Sequence, residues 1–373
     1  RLSINTRNNI MHNTLRYKRI VVKIGSNVLT RDNGTPDTTR ISALVDQIAA
    51  LHAAGAEIIM VSSGAVASGR GLLRNLGRRL DEVSARQIYS AVGQVRLIDR
   101  YYDLFGEYGI VCGQILTTKE SLSTRRDYLN QRNCMETMLS CRVIPIVNEN
   151  DAISVTELMF TDNDELSGLV AAMMDADLLI ILSNIDGIYD GSPADPASRI
   201  IRRVEPHTDL TRYIDTKRSS AGRGGMITKN RVAARTAAEG IETVIANGRR
   251  DGILTAIVTS ADETPCTRFV PSATPSSTIK RWIASSEGFA KGAIVINEGA
   301  AEAVARNKGV SILPVGVVAV EGAFEKDDIV RIVTADGRRI GLGRAACDSA
   351  AAERNKGRRG LKPVIHYDYL YIE

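Results

Sequence analysis

Between Arg19 and about Thr259, short runs of Val, Ile and Leu alternate with longer segments whose apolar residues recur at helical spacing. The short runs, 19–24, 57–62, 111–116, 143–147, 178–182 and 243–246, are rich in Val, Ile and Leu. That is the pattern of strands buried on both faces. In the interval 38–54, Ile41, Leu44, Val45, Ile48 and Leu51 fall on one stripe of a predicted helix. Over 84–105 the stripe is Ile88, Val92, Val95 and Ile98. Strand and helix in alternation predict an α/β fold, an open, mostly parallel sheet sandwiched by helices.

The pattern changes after that. Residues 261–277 are rich in Pro, Ser and Thr, with Pro265, Pro271 and Pro275, and are read as a linker. Beyond it, apolar runs at 293–296, 316–320, 329–333 and 364–372 stand between Gly, Asp and Asn turns, with a helix at 299–306. This predicts a small β-rich domain. The expected division is a disordered extension over 1–16, an α/β domain over 17–260, the linker, and a second domain over 278–373. The most apolar segment, 169–182, is broken by Asp175 and Asp177. It is shorter than the roughly 18 apolar residues a membrane span requires.

Composition adds exclusions. The chain has 373 residues, 44% hydrophobic and 24% charged, as in ordinary globular proteins. Its five cysteines are scattered, never in a C-x-x-C pair, and read as reduced thiols of a cytoplasmic protein. The four histidines form no metal-binding spacing, so no protein-built metal site is expected and any metal arrives with a substrate. A net charge of +5 does not argue for nucleic acid, although 338–362 is locally basic.

Candidate chemistry gathers where strands end. Lys23, Gly25 and Ser26 follow the first strand, at the carboxyl edge where open α/β sheets bind ligands. The glycine admits backbone N–H groups to a phosphate and the lysine supplies charge, although Lys-x-Gly also fits a plain turn. Ser62, Ser63, Gly64 and Ala65 repeat the arrangement, with serine N-capping as a compatible reading. Asn148, Glu149, Asn150 and Asp151 follow a buried strand, and Thr161, Asp162, Asn163, Asp164 and Glu165 precede a helix. A capping box of Thr161 or Asp162 with Glu165 explains part of the second cluster but nothing of the first, which points to ligand contacts. Ser183, Asn184 and Gly187 follow the next strand, and Gly222, Arg223, Gly224, Gly225 and Met226 lead to Lys229 on a helix start, a phosphate-cradling pattern. It lacks the G-K-[ST] ending of a P-loop. Gly341, Gly343 and Ala346 superficially match a dinucleotide fingerprint, but too little chain remains for a second βαβ half and no acidic residue follows at the required distance. That segment is read as a β-turn and a dehydrogenase is disfavoured.

In order and spacing, V-V-K-I-G-S from Val21, V-S-S-G-A-V from Val61, A-V-G-Q from Ala91, P-I-V-N-E-N-D from Pro145, D-N-D-x-L-S from Asp162 and G-G-M-x-T-K from Gly224 resemble the amino acid kinase superfamily. Within it they are most similar to the glutamate 5-kinases. K-R-W-I from Lys280, I-N-E-G-A from Ile296, L-P-x-G from Leu313 and V-I-H-Y-D from Val364 look like the PUA domain that many members carry. The resemblance implies transfer of the γ-phosphoryl group of ATP, with its Mg2+, to the γ-carboxylate of L-glutamate, the first step of proline biosynthesis. It implies Lys23 and Lys229 as the catalytic cations and Asp164 as their organiser. Ser63, Asp151 and Asn163 would bind glutamate, with Asn148, Asn150 and Asp162 beside them. Lys23, Gly25, Ser183, Asn184, Gly222, Arg223, Gly224, Gly225, Met226 and Lys229 would bind ATP. Members often have Thr-Asp in place of Ser183-Asn184 and Thr in place of Arg223. Proline as a feedback inhibitor, a homo-oligomer (dimer or tetramer) and an RNA contact through the PUA domain are further implications. The alternatives are a sibling kinase acting on acetylglutamate, aspartate or UMP, and a PUA-mediated RNA-binding regulator.

Overall fold

The computed structural model describes residues 16–31, 34–73, 80–122, 125–154, 162–193, 195–206, 208–210, 213, 225–259, 263–273, 282–283, 290–306 and 309–372. The expected tail, apart from Arg16, lies outside the described residues, as do parts of the expected linker. The chain divides into two compact units. One is drawn from Arg1–Thr118 and Leu129–Pro275, the other from Lys119–Tyr128 and Ser276–Glu373.

In the first unit the chain runs β1 (Arg19–Ile24), α1 (Ser26–Leu29), α2 (Thr38–Ala53), β2 (Glu57–Ser62), α3 (Ala65–Leu72), α4 (Glu82–Gly106), β3 (Cys112–Thr117), α5 (Arg125–Ser140), β4 (Ile144–Glu149), α6 (Asn163–Met173), β5 (Leu178–Ser183), β6 (Arg203–Val204), α7 (Met226–Ala238), β7 (Glu242–Asn247), α8 (Ile253–Thr259) and β8 (Cys266–Phe269). The strands form one eight-stranded sheet in the order β3-β4-β2-β1-β5-β7-β8-β6. From β3 to β7 every pairing is parallel, so these strands all end at one edge. β1 is the centre from which the order departs in both directions, with Ile24 level with Ser62 on one side and Leu182 on the other. The turns after β1, β2 and β5 therefore open side by side, at the switch point where such sheets take ligands.

The two-residue period of β1 decides what each face does. Ile20, Val22 and Ile24 join a core with Leu44, Ile48 and Leu51 of α2 and Leu97, Tyr101 and Phe105 of α4. Val21 and Lys23 consequently face the other side, where α6 packs on β1 and β5. Every residue of α6 from Leu166 to Met173 is buried, the mark of a helix enclosed on all sides. At Gly168 an added Cβ would stand 2.8 Å from Val232 Cγ1 and 3.1 Å from Thr236 Oγ1, so the missing side chain sets how closely α7 approaches.

Three expectations are corrected. The buried face of α4 is not the expected stripe: Val95 is 64% exposed, Ile88 and Val92 are half-buried and Ile98 packs partly buried against the core, while the buried residues are Ser90, Gly93, Gln94, Leu97, Tyr101, Leu104 and Phe105. The reason is glycine contact between helices, since a Cβ on Gly93 would stand 1.8 Å from Ala65 O and one on Gly69 1.9 Å from Tyr89 O. Small and polar residues mark the first half of the packed face of α4, and large ones only the second half. Second, Cys266–Phe269, within the stretch expected to be linker, is β8, antiparallel to β7. Third, Gly341 and Gly343 lie in a strand and not in a turn, as the second unit shows.

That unit contains a five-stranded sheet, ordered β10-β9-β11-β12-β13. Its strands are β9 (Gly292–Ile296), β10 (Val317–Gly322), β11 (Ile329–Thr334), β12 (Arg339–Arg344) and β13 (Leu370–Ile372), with helices Glu298–Arg306 and Ser349–Asn355. All pairings are antiparallel except β9 with β11. In β12 a side chain at Gly341 would meet Tyr371 O at 2.0 Å and one at Gly343 would meet Ile365 Cγ2 at 2.6 Å. The glycines let neighbouring chain approach, which is their usual meaning inside a strand. The unit also takes in Lys119–Tyr128, where Tyr128 is buried with its ring 6.3 Å from that of Trp282.

Candidate active site

A cavity of about 610 Å3 opens at the carboxyl edge of the large sheet. Its walls come from the ends of β1, β2, β4 and β5 and from the starts of α3, α6 and α7. Three groups of side chains organise it.

The first is a buried charge triad. Asp164, on the first turn of α6, is 0% exposed. Its Oδ1 pairs with the Lys23 ammonium, brought by the outward-pointing position of β1, and its Oδ2 accepts from Lys229 Nζ at 2.8 Å, brought by the first turn of α7. Asp164 and Gly168 lie one turn apart on α6, and Lys229, Val232 and Thr236 share a stripe of α7. The close helix contact at Gly168 therefore brings Lys229 into reach of the carboxylate. Burial works to raise the Asp164 pKa, but the two ammonium charges prevail and hold it at about 2. Gly25 stands next to the pair, where a Cβ would sit 3.4 Å from Lys23 Nζ and 3.3 Å from Leu182 O.

The second is a chain of amides. Asn163 Nδ2 donates to Ser63 Oγ at 2.8 Å and to Asn148 Oδ1 at 2.9 Å, and Asn148 Nδ2 donates to Gln94 Oε1 at 2.8 Å. Asn163 Oδ1 is buried without a hydrogen-bond partner in the protein. Ser63 precedes Gly64, whose φ of 107° is the left-handed conformation that glycine takes freely. This turn places Ser63 and the N-terminus of α3 on the cavity wall.

The third is acidic. Arg86, near the start of α4, bridges Glu149 at 3.5 Å and Asp151 by a shorter contact. Burial raises the Asp151 pKa and Arg86 opposes the rise. Asp162 is the N-cap of α6, its Oδ1 accepting from Asp164 N at 2.9 Å and Glu165 N at 3.1 Å, while its Oδ2 is buried without a hydrogen-bond partner. Burial, then the charge of Asp164, push its pKa up to about 6 against the pull of the lysines.

Of the residues singled out in the sequence, Lys23, Gly25, Ser63, Asn148, Asp151, Asp162, Asn163, Asp164, Ser183 and Lys229 all line this cavity. Asn150 is not among its lining residues. Its backbone serves the turn after β4, donating to Thr117 O at 2.7 Å and accepting from Ser154 N at 3.0 Å. Asn184 is exposed, 3.4 Å from Ser183 Oγ, and is likewise not among the lining residues. Gly225 is the N-cap of α7 and Met226 its first residue. Gly222, Arg223, Gly224 and Thr161 lie outside the described residues. Arg86 and Gln94 also belong to the site and were not singled out as site residues. Their signal is spacing: Arg86, Ser90, Gln94, Leu97 and Tyr101 follow one stripe of α4, and a polar residue on a packed stripe needs a partner.

A sheet-edge cavity that binds two ammonium groups to one buried carboxylate, on an α/β scaffold followed by a small β-rich unit, defines a phosphoryl-transfer class. Residues 18–247 match the amino acid kinase family and residues 292–367 match the PUA domain. The chain belongs to the amino acid kinase family. The glutamate 5-kinase of Bacteroides thetaiotaomicron is 61% identical over 357 residues, 96% of this chain and 99% of that protein. The glutamate 5-kinase of Chlorobaculum tepidum is 47% identical over 359 residues, 95% and 98% of the two chains. Carbamate kinase from Giardia lamblia, solved bound to AMP-PNP, shares the fold at a TM-score of 0.50 and 16% identity, covering 68% of this chain and 99% of that one. The resemblance drawn from the motifs is borne out for both the kinase family and the PUA domain.

Proposed function

We propose that this chain is an ATP-dependent glutamate 5-kinase, transferring the γ-phosphoryl group of ATP to the γ-carboxylate of L-glutamate to give γ-glutamyl 5-phosphate, the first step of proline biosynthesis. The observation that carries the reading is the triad of Lys23, Asp164 and Lys229. A side-chain carboxylate has a pKa of about 4.3, so the nucleophile arrives ionised and needs no general base. The obstacle is repulsion between that anion and the phosphates. Lys23 and Lys229 meet it by presenting positive charge where the transferring group accumulates negative charge. Asp164 is ionised at any working pH and fixes both ammonium groups, leaving the triad with a net positive charge. It positions the cations and transfers no proton.

The roles of the other residues follow from their chemistry. Asn163 Oδ1 and the Asp151 carboxylate are acceptors for the substrate ammonium group, and Ser63 and Asn148 fix Asn163 between them. Gln94 acts through Asn148 as a positioning residue. Gly25, Ser183, Gly225 and Met226 serve the nucleotide side. Among the described residues no cluster suits a metal bound by protein alone. Asp162 Oδ2 is the kind of single carboxylate that holds a nucleotide-borne Mg2+. When bound, that ion neutralises phosphate charge.

Proline, like glutamate, carries an α-carboxylate beside a protonated nitrogen, in proline a secondary one, which supports its place as feedback inhibitor at this site. Exposed Val95 and Tyr102 on the outer face of α4 support a homo-oligomer. A cytoplasmic location suits the unpaired thiols. No helix among the described residues is long and apolar enough to cross a membrane.

The test is a coupled ADP-release assay with glutamate, aspartate, acetylglutamate and UMP. Glutamate-dependent release above the other three is expected. Preference for any of the others replaces the reading with that sibling activity.

A further inference from the structure

We propose that Arg86 is a specificity-determining residue for this reaction, receiving the α-carboxylate of the substrate amino acid while Asp151 beside it receives the ammonium group. The inference rests on the glutamate reading and names a contact that reading does not contain.

Arg86 lines the cavity from α4, and its side chain is 16% exposed. The carboxylates it bridges, Glu149 and Asp151, are 5% and 11% exposed. Arginine keeps its charge in proteins. Asp151 is thus a buried acid standing directly beside a fixed cation on the cavity wall. A zwitterionic amino-acid head has the opposite arrangement, an ammonium beside a carboxylate. Its ammonium completes the pairing of Asp151, and its carboxylate fits the planar donor fork of Arg86.

The spacing suits a substrate of glutamate's length. Glu149 and Asp151 sit at and just beyond the end of β4, and Lys23 near the end of β1, two strands away in the order β4-β2-β1. Strands lie about 4.8 Å apart, which puts the two ends of the site roughly 10 Å from each other. That is about the length of an extended five-carbon amino acid with a hydrogen bond of about 2.8 Å at each end. A substrate held at Arg86 and Asp151 therefore directs its far carboxylate towards the lysines.

A structural role for Arg86, fastening the turn after β4, is the competing account. That turn is already fastened by other groups. Gln87 Nε2 donates to Ala152 O at 3.0 Å, Asn150 N to Thr117 O at 2.7 Å and Ser154 N to Asn150 O at 3.0 Å. Arg86 does balance the two buried carboxylates, so its role towards the substrate is read from substrate selectivity and not from stability alone.

The test compares L-glutamate with L-isoglutamine, in which the α-carboxylate is a neutral carboxamide and the γ-carboxylate is kept. The wild type is expected to prefer glutamate in kcat/KM by at least about tenfold, the worth of a charged hydrogen bond. Arg86→Gln is expected to raise the glutamate KM about tenfold to a hundredfold, to leave the ATP KM within about twofold, and to abolish most of the preference. Arg86→Lys retains a charge without the fork and guards against a folding defect in the first variant. It is expected to keep the isoglutamine rate and to show an intermediate glutamate KM. Equal losses on both substrates in both variants, or an unchanged glutamate KM, overturn the proposal while leaving the glutamate reading intact. A wild type that releases no ADP with glutamate overturns both.

Discussion

Asp164 faces two ammonium groups inside the protein, so losing either lysine leaves a buried charge short of a partner as well as a phosphoryl group short of a cation. Lys23→Ala and Lys229→Ala are each expected to lower kcat by at least about two orders of magnitude. The remaining lysine still pairs with Asp164, so the carboxylate is not left uncompensated and the variants are expected to stay folded. Steady-state kinetics and thermal melts check the pair, and near-normal turnover in a folded variant removes that lysine from the mechanism. The two acids at the start of α6 titrate in opposite senses. The pKa of Asp164 is depressed from 3.8 to about 2, so its stabilisation is complete above 3.8 and is lost as pH falls through 2. That of Asp162 is raised from 3.8 to about 6, so between those values the folded state binds more protons than the unfolded one and stability falls as pH rises. Asp162→Asn keeps an N-cap side chain and removes the titration. The melting temperature of the variant minus that of the wild type should then grow from pH 4 to pH 6. A constant difference across that window shows that Asp162 is not the titrating group.

At the scale of elements, the contact between α6 and α7 carries the site. Gly168 stands one turn from Asp164, and Val232 and Thr236 follow Lys229 along the facing stripe. Gly168→Val forces these helices apart and is expected to cut kcat at least tenfold while leaving the glutamate KM nearly unchanged, because misplacing one cation by about 1 Å is costly in the transition state. An unaltered kcat in this variant means Lys229 does not depend on the helix contact. The same contact shows why only part of the molecule was legible beforehand. Most strands of the large sheet stood out because burial on both faces enriches them in Val, Ile and Leu, although β3 at the sheet edge is partly exposed. Polar residues ending those strands marked the sheet edge, and with it the neighbourhood of Lys23, Ser63, Asn148 and Ser183. The face of α4 was misread because it meets α3 through backbone, at Gly93 against Ala65 and at Tyr89 against Gly69, and apolar periodicity is blind to contacts made by absent side chains. Arg86 and Gln94 were hidden by that same misreading, since they share the overlooked stripe. β8 was hidden by prolines on either side of it, Pro265 and Pro271, which mark turns without saying that a strand stands between them.

At the scale of the whole chain, everything that lines the cavity belongs to the first unit, which suggests a cut at Pro275. Yet that unit is not one continuous stretch of chain. Between β3 and the body of α5, Lys119–Tyr128 belongs to the second unit, with Leu122 and Tyr128 each 1% exposed and the Tyr128 ring 6.3 Å from Trp282. A chain ending at Pro275 keeps these two side chains and loses the residues of their own unit. The apolar surface left exposed is worth about 1.5–3 kcal/mol for a side chain of this size. The expected result is a truncated protein that retains glutamate-dependent ADP release but melts several degrees lower and associates at high concentration. Leu122→Ser with Tyr128→Ser in the same truncation should restore a monodisperse species without raising kcat, since neither residue lines the cavity. Light scattering and thermal melts of the three proteins decide it. A plain truncation as stable and monodisperse as the full chain shows that the 119–128 segment needs no partner from the second unit. A soluble, folded truncation with no glutamate-dependent activity shows instead that the second unit completes the site.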